Sequence, residues 1–274
     1  MMNDPIIKVI KSNKPGPSIT IIAGIHGNEV SSIKSVQKLI NYPPLIQKGK
    51  LTLILANPKA IFRNKRFIEE DLNRCFLKDK TRTGSYEEEL AEYLKKYLQD
   101  QDICIDLHCS NVPQTETFVI CERNASRLLK YIDTNKIIFG FDVYEPGGTD
   151  YYMNLNRKIG VCIELGALNN NKATKKGIEI VYNILSSQEM IDKEIKIYQR
   201  QSVFNISRYF IPSGNFIIKK EFEDFETIKK GQIIGIDDNK EITNQINRRI
   251  IFARSVDNRE YPIKRGFIVI NNIR

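Results

Sequence analysis

Residues 19–25 read Ile-Thr-Ile-Ile-Ala-Gly-Ile, an apolar and mostly β-branched run with no polar alternation. A strand of that kind must be covered on both faces, which points to a largely parallel sheet between layers of helix. The next segment supplies such a layer. Val30, Ile33, Val36, Leu39 and Ile40 fall on one helical face. Residues 51–55, Leu-Thr-Leu-Ile-Leu, predict a second strand, stopped by Asn57-Pro58. Ser85 with Glu88 three residues later is a capping-box pattern, opening a helix through Leu90, Leu94 and Leu98. Further strands are expected at 103–108, 117–121 and 161–163, and a last helix from about Thr174 towards Tyr198. The expected fold is a mixed, mostly parallel α/β sheet flanked by helices. After about residue 200 short apolar pieces alternate with turn signals such as Pro212-Ser213-Gly214-Asn215 and Asp237-Asp238-Asn239-Lys240. The expected division is therefore a domain over 1–200 and a small β-rich domain over 201–274.

Composition narrows the function classes. No stretch approaches the roughly 18 consecutive apolar residues of a membrane span, and the start, Met1-Met2-Asn3-Asp4-Pro5, lacks the features of a secretory signal. The five cysteines form no CxxC pair, and Cys104, Cys121 and Cys162 lie in apolar strand-like runs. That pattern predicts a reducing, cytoplasmic setting without disulfides. A net charge of +9 raises nucleic acid as a partner. The basic residues are interleaved with acids, as in Lys193-Glu194-Ile195-Lys196, so neither nucleic acid nor membrane is expected. Phosphate-binding GxxxxGK loops, Rossmann glycine patterns and nucleophile elbows are absent from the sequence.

The chain has only two histidines. His26 follows the first apolar strand in Gly24-Ile25-His26-Gly27-Asn28-Glu29, and His108 ends another in Asp106-Leu107-His108. Carboxyl ends of parallel strands are where α/β sheets bind ligands. Two histidines and a glutamate there are the ingredients of a catalytic zinc site with one position left for water. Taken singly, each histidine reads better as a satisfied polar residue at a strand end. Between the 51–55 strand and the helix at Ser85 lie Lys59, Arg63, Lys65, Arg66 and Arg74, either a solvated surface or an anion clamp. Glu164 closes the apolar strand Val161-Cys162-Ile163, as a functional acid or one half of a buried ion pair.

In order, the chain carries Gly-Ile-His-Gly-Asn-Glu at 24–29, Asn57-Pro58 with Arg66, Asp-Leu-Asn-Arg at 71–74, Asp-Leu-His at 106–108 and Ile-Glu-Leu-Gly at 163–166. Together these resemble the succinylglutamate desuccinylase/aspartoacylase family of the zinc carboxypeptidase superfamily. The resemblance implies hydrolysis of a small N-acyl amino acid, or a similar amide, by a water that one zinc ion per chain activates. It implies that His26, Glu29 and His108 are the metal ligands, that Arg66 stabilises the oxyanion, and that Asn73 and Arg74 grip the substrate carboxylate. Glu164 is then the general base, and Asp106 stays outside the first rank. The stretch 147–152, with Arg157 beside it, is the candidate for the acyl pocket, Arg157 serving as a cation for a second carboxylate. Two alternatives share the scaffold: a metallocarboxypeptidase acting on peptides, and a catalytically silent binding protein. A homo-oligomer is compatible with all three.

Overall fold

The computed structural model describes residues 4–77, 84–112, 115–257 and 265–273. They form two units: residues 4–112 with 117–201, and residues 115–116 with 202–273.

The first unit is an α/β sheet. Its elements are β1 (Ile6–Lys11), β2 (Ser18–Ala23), α1 (Val30–Asn41), β3 (Lys50–Leu55), α2 (Pro58–Arg63), α3 (Tyr86–Leu98), β4 (Ile103–Ser110), β5 (Phe118–Cys121), α4 (Ser126–Leu129), β6 (Lys136–Phe139), α5 (Phe141–Tyr144), α6 (Thr149–Leu155), β7 (Ile159–Ala167) and α7 (Asn171–Ser187). The strands lie in the order β1-β3-β2-β4-β7-β5-β6. The four central strands are mutually parallel, β1 and β5 run antiparallel to their inner neighbours, and β6 is parallel to β5. The sheet is thus mixed and mostly parallel, as the unbroken apolar runs predict. Ile19, Ile21 and Ile22 of β2 are fully buried, and covering each such side chain contributes about 1.5–3 kcal/mol. Leu90, Leu94 and Leu98 of α3 pack in one cluster with Ile22, Ile54 and Cys104 from three adjacent strands. Ser85 Oγ accepts from Glu88 N at 3.3 Å, the cap that its spacing predicts.

Two differences from expectation have local causes. The last helix stops at Ser187, well short of Tyr198. Glu189 takes a left-handed conformation (φ 54°), and Glu189 N bonds to Ser186 O while Met190 N bonds to Leu185 O. This is a Schellman termination built without glycine, so the sequence carries no stop signal. The strands β1 and β6 also go unread, because β1 is a half-exposed edge strand with lysines at positions 8 and 11 and β6 is four residues long.

The second unit contains β8 (Ser202–Phe210), β9 (Phe216–Ile218), β10 (Glu226–Ile228), β11 (Ile233–Asp237), β12 (Lys240–Thr243), β13 (Arg248–Ile251) and β14 (Phe267–Asn272). All its pairings are antiparallel, in the orders β8-β14-β13-β10 and β12-β11-β9. Phe216, Phe267, Ile228 and Ile250 fill its core, with Phe210 stacked on Phe267 at 4.6 Å. It is the β-rich region expected from the turn signals.

Candidate metal centre

Three neighbouring strands deliver the site. β2 ends at Ala23, and Gly24 turns the chain at φ +72°, a conformation that other L-residues rarely hold. His26 and Glu29 follow before α1 begins. The turn sits hard against α2, whose Ala60 carbonyl carbon would lie only 2.0 Å from any Cβ placed on Gly27. Gly27 N donates to Arg66 O at 3.2 Å and Asn57 N to Gly24 O at 3.0 Å, tying the turn to the next two segments. On β4, Leu107 lies beside Ala23 and His108 beside Glu164 of β7. His26, His108 and Glu164 therefore share the carboxyl edge of adjacent parallel strands, with His108 and Glu164 in register.

Donor atoms of His26, Glu29 and His108 lie within 4.8 Å of one another, and all three residues are buried. His26 Nδ1 is 2.5 Å from Glu29 Oε1, and His108 Nδ1 is 3.1 Å from Glu29 Oε2. The imidazoles meet edge to face with centroids 5.0 Å apart. Each outer ring nitrogen faces a carboxylate: His26 Nε2 lies 3.0 Å from Asp71 Oδ1, and His108 Nε2 lies 3.1 Å from Asp106 Oδ2. Asp106 Oδ2 also accepts from Thr149 Oγ1 at 2.5 Å. Carboxylates behind imidazoles fix the ring orientation and raise ligand basicity, as in most protein metal sites.

The electrostatics fit a cation. Burial pushes the Glu29 carboxyl up, but the two imidazoles outweigh it and hold it well below the usual range. Burial favours neutral His108, yet Asp106 and Glu29 together raise its pKa well above the ordinary histidine value. Burial also works against ionised Asp71, and His26 and Arg66 reverse it, leaving that pKa low. Buried Glu29 and Asp106 and half-buried Asp71 thus surround two imidazoles, a negative excess that a divalent ion at the His26–Glu29–His108 atoms would balance. Two nitrogens and one carboxylate oxygen also form a donor set that zinc commonly takes.

Arg66 joins this cluster. Its Nε and Nη2 donate to Asp71 Oδ2 at 3.2 and 3.0 Å, while Nη1 reaches to 4.0 Å from Glu29 Oε1. Asn73 and Arg74 sit in a short 3-10 turn (Leu72–Arg74) started by Asp71, whose Oδ1 accepts from Asn73 N at 3.0 Å. Asn73 Oδ1 is buried without a hydrogen-bond partner among the described residues. The Arg74 guanidinium is ion-paired with Glu145 and donates to Asn73 O at 2.6 Å. The stretch at 147–148 lies against this pair: Phe76 N donates to Gly147 O at 3.0 Å, and a Cβ on Gly148 would meet Asn73 Oδ1 at 3.0 Å.

Other expected residues are elsewhere. Arg157 is exposed at the end of α6, two residues before β7 begins. Arg157 sits in a left-handed turn (φ 59°) before the strand, and Glu164 lies five strand residues beyond Ile159, roughly 17 Å further along. It stands at the amino end of β7, whereas His108 and Glu164 are at the carboxyl edge, so the structure does not bring it together with them. Of the five basic residues read as a clamp, Arg63 and Lys65 are exposed and Lys59 stacks over the Tyr86 ring at 3.9 Å. Only Arg66 and Arg74 remain at the site. Sequence reasoning missed Asp71 as the partner of His26 although it quoted the motif holding it. Glu145 carries no sequence signal at all.

The catalytic-domain profile of the succinylglutamate desuccinylase/aspartoacylase family matches residues 15–187. A Nostoc sp. protein named "Probable aspartoacylase" is 32% identical over 192 residues, 64% of this chain and 65% of that one. An N-acyl-aromatic-L-amino acid amidohydrolase (carboxylate-forming) of Xenopus tropicalis is 28% identical over 166 residues, 54% of each chain. The alignments thus span under two thirds of these relatives' length. The crystal structure of a succinylglutamate desuccinylase from Vibrio parahaemolyticus superposes with a TM-score of 0.80 at 17% identity, covering 98% of this chain and 86% of that one.

Proposed function

Because this chain belongs to the succinylglutamate desuccinylase/aspartoacylase family, we propose that it is a zinc-dependent deacylase that hydrolyses the amide bond of a small N-acyl amino acid. The observation that carries this reading is the buried His26–Glu29–His108 donor set, with Glu164 in register beside His108. A zinc ion held there would lower the pKa of a water towards 7 and polarise the substrate carbonyl.

The chain's own groups account for the remaining steps. The Glu164 carboxylate takes a proton from the water as its oxygen bonds to the amide carbon. The same group then delivers that proton to the amide nitrogen as the C–N bond breaks, leaving a carboxylic acid product and a free amine. Arg66 donates to the carbonyl oxygen as it gains negative charge. Two of its nitrogens are occupied by Asp71, which leaves Nη1 as the one turned towards the ligands. Loss of such a donor typically costs on the order of 10²–10³ in rate. Asn73 and Arg74 take the substrate carboxylate, Arg74 sharing its guanidinium with Glu145. In this reading residues 1–200 carry the chemistry, and the second unit has an accessory role.

The five cysteines are all buried and free, which supports a reducing compartment and hence the cytoplasm. Among the described residues no helix is long and apolar enough to cross a membrane.

The test is a panel pairing acetyl and succinyl groups with aspartate, glutamate, lysine and neutral amino acids, run on zinc-loaded and chelator-stripped protein. Zinc-dependent release of a free amino acid is expected, with Glu164→Gln keeping its zinc and losing most turnover. Near-normal turnover in that variant removes Glu164 from the mechanism, and peptides cleaved faster than any acyl amino acid favour the carboxypeptidase alternative.

A further inference from the structure

Glu87 lies in the first turn of α3, fully buried and outside every group assigned above. Its carboxylate collects four hydrogen bonds. Oε1 accepts from Ile68 N at 2.8 Å and Asn57 Nδ2 at 3.1 Å, and Oε2 accepts from Glu69 N at 3.1 Å and Glu70 N at 3.2 Å. Three consecutive backbone amides thus converge on one side chain, a concavity that favours an anion. The contact is reciprocal. Glu69 Oε2 accepts from Tyr86 N at 2.8 Å and Glu70 Oε2 from Ser85 Oγ at 3.2 Å.

What this lacing holds is the stretch from Arg66 to Asp71. Arg66 precedes the three amides by two residues and Asp71 follows them directly. None of residues 66–71 is helix or strand, so the position of Arg66 and Asp71 is not set by a regular ladder. Asn57 extends the same anchor to α2, since its Oδ1 caps that helix at Ala60 N while its amide donates to Glu87. Charge-assisted bonds of this kind are about twice as strong as neutral ones. A carboxylate with four donors therefore fixes the loop more tightly than its neutral isostere.

We propose that Glu87 is the positioning residue of this site: it fixes the 68–70 backbone and thereby aims Arg66 at the reacting carbonyl and Asp71 at His26. The proposal rests on the deacylase reading for Arg66 but not for Asp71, and the experiment separates the two. Glu87→Gln replaces one accepting oxygen by an amide that opposes the loop donors. In the first cycle, zinc affinity is measured by chelator competition for wild type, Glu87→Gln, Asp71→Asn and the double variant. Glu87→Gln is expected to weaken zinc about fivefold, and to add nothing once Asp71 is already Asn. In the second, kcat is measured at saturating zinc on the best-cleaved N-acyl amino acid of the panel. Glu87→Gln is expected to lower kcat about tenfold with KM within about threefold of wild type, and to add nothing to Arg66→Ala. Losses that multiply in both cycles would overturn the proposal, since a merely structural residue weakens the protein whether or not Arg66 and Asp71 are present. Wild-type kcat in Arg66→Ala would instead refute the role of Arg66, while the zinc cycle still decides for Glu87. Should Glu87→Gln not fold, exposed Glu69→Ala removes the reciprocal bond to Tyr86 N and is expected to show both cycles at smaller size. Multiplying losses there are equally adverse.

Discussion

Gly27→Ala isolates how closely the metal turn is packed. A Cβ on Gly27 would lie 2.0 Å from the Ala60 carbonyl carbon, 2.3 Å from its oxygen and 2.3 Å from Ile61 N. Carbon atoms in contact sit about 3.5–4.0 Å apart, so the turn and α2 would have to part by about 1.5 Å. Neither side is soft, because the obstacle is backbone. Ile61 N bonds to Asn57 O at 2.9 Å, Ala60 N to Asn57 Oδ1 at 3.1 Å, and Gly27 N to Arg66 O at 3.2 Å. Overpacking costs typically 1–3 kcal/mol, and loss of the Asn57 cap adds about 1 kcal/mol. A loss of about 3 kcal/mol in a unit of this size lowers Tm by roughly 6–12 °C. Because Gly27 sits between His26 and Glu29, displacement also misaligns the donors, and zinc affinity is expected to fall at least about tenfold. Thermal melts with and without zinc, with chelator competition, measure both. A variant melting within about 2 °C of wild type and holding zinc equally well would refute the packing argument.

Three further outcomes follow from the same geometry. Asp71→Asn and Asp106→Asn each remove a carboxylate behind an imidazole and are expected to weaken zinc about 10–100-fold in chelator competition; unchanged affinity in either would dismiss that contact. Burial, with Asp142 and Asp106 nearby, pushes Asp150 from 3.8 up to about 7. Since the folded state then keeps a proton that the unfolded chain has lost, stability falls as pH rises from about 4 to 7, by on the order of 4 kcal/mol for Asp150 alone. Asp150→Asn should therefore gain on wild type through that window and level off above it in denaturant titrations; a pH-independent difference would contradict the assignment. Arg157→Ala is expected to leave the ranking of acyl groups in the panel unchanged, and a shifted ranking would return Arg157 to the pocket.

The parts of this molecule legible in its sequence are those where one residue type has few alternative uses. The first buried parallel strand announces itself, because 19–25 has no polar face to offer solvent. The histidines could be located because each ends such a strand, and the structure then brings them to 5.0 Å. The partners behind them are harder to read. Asp71 reaches His26 across 45 residues and Glu145 reaches Arg74 across 71, and a carboxylate in a polar loop looks the same whether or not something buries it. The end of α7 was illegible for a different reason: a left-handed glutamate closes it where glycine would have been visible. Closeness of Arg157 to Glu164 along the chain likewise says nothing about which end of β7 it occupies, and it lies before the amino end.

The donor set is split unevenly along the chain. His26 and Glu29 are three residues apart and meet through a single turn, whereas His108 comes 79 residues after Glu29 and reaches them only once β4 has zipped onto β2. A newly made chain can therefore offer an incoming ion two ligands early and the third only late. Weak early capture would not steer the sheet, and tight retention would begin with the pairing of the central strands. Tight loading is then expected to wait for that pairing, and the moment at which the refolding chain outcompetes a mild chelator for zinc would mark the closure of β2 against β4.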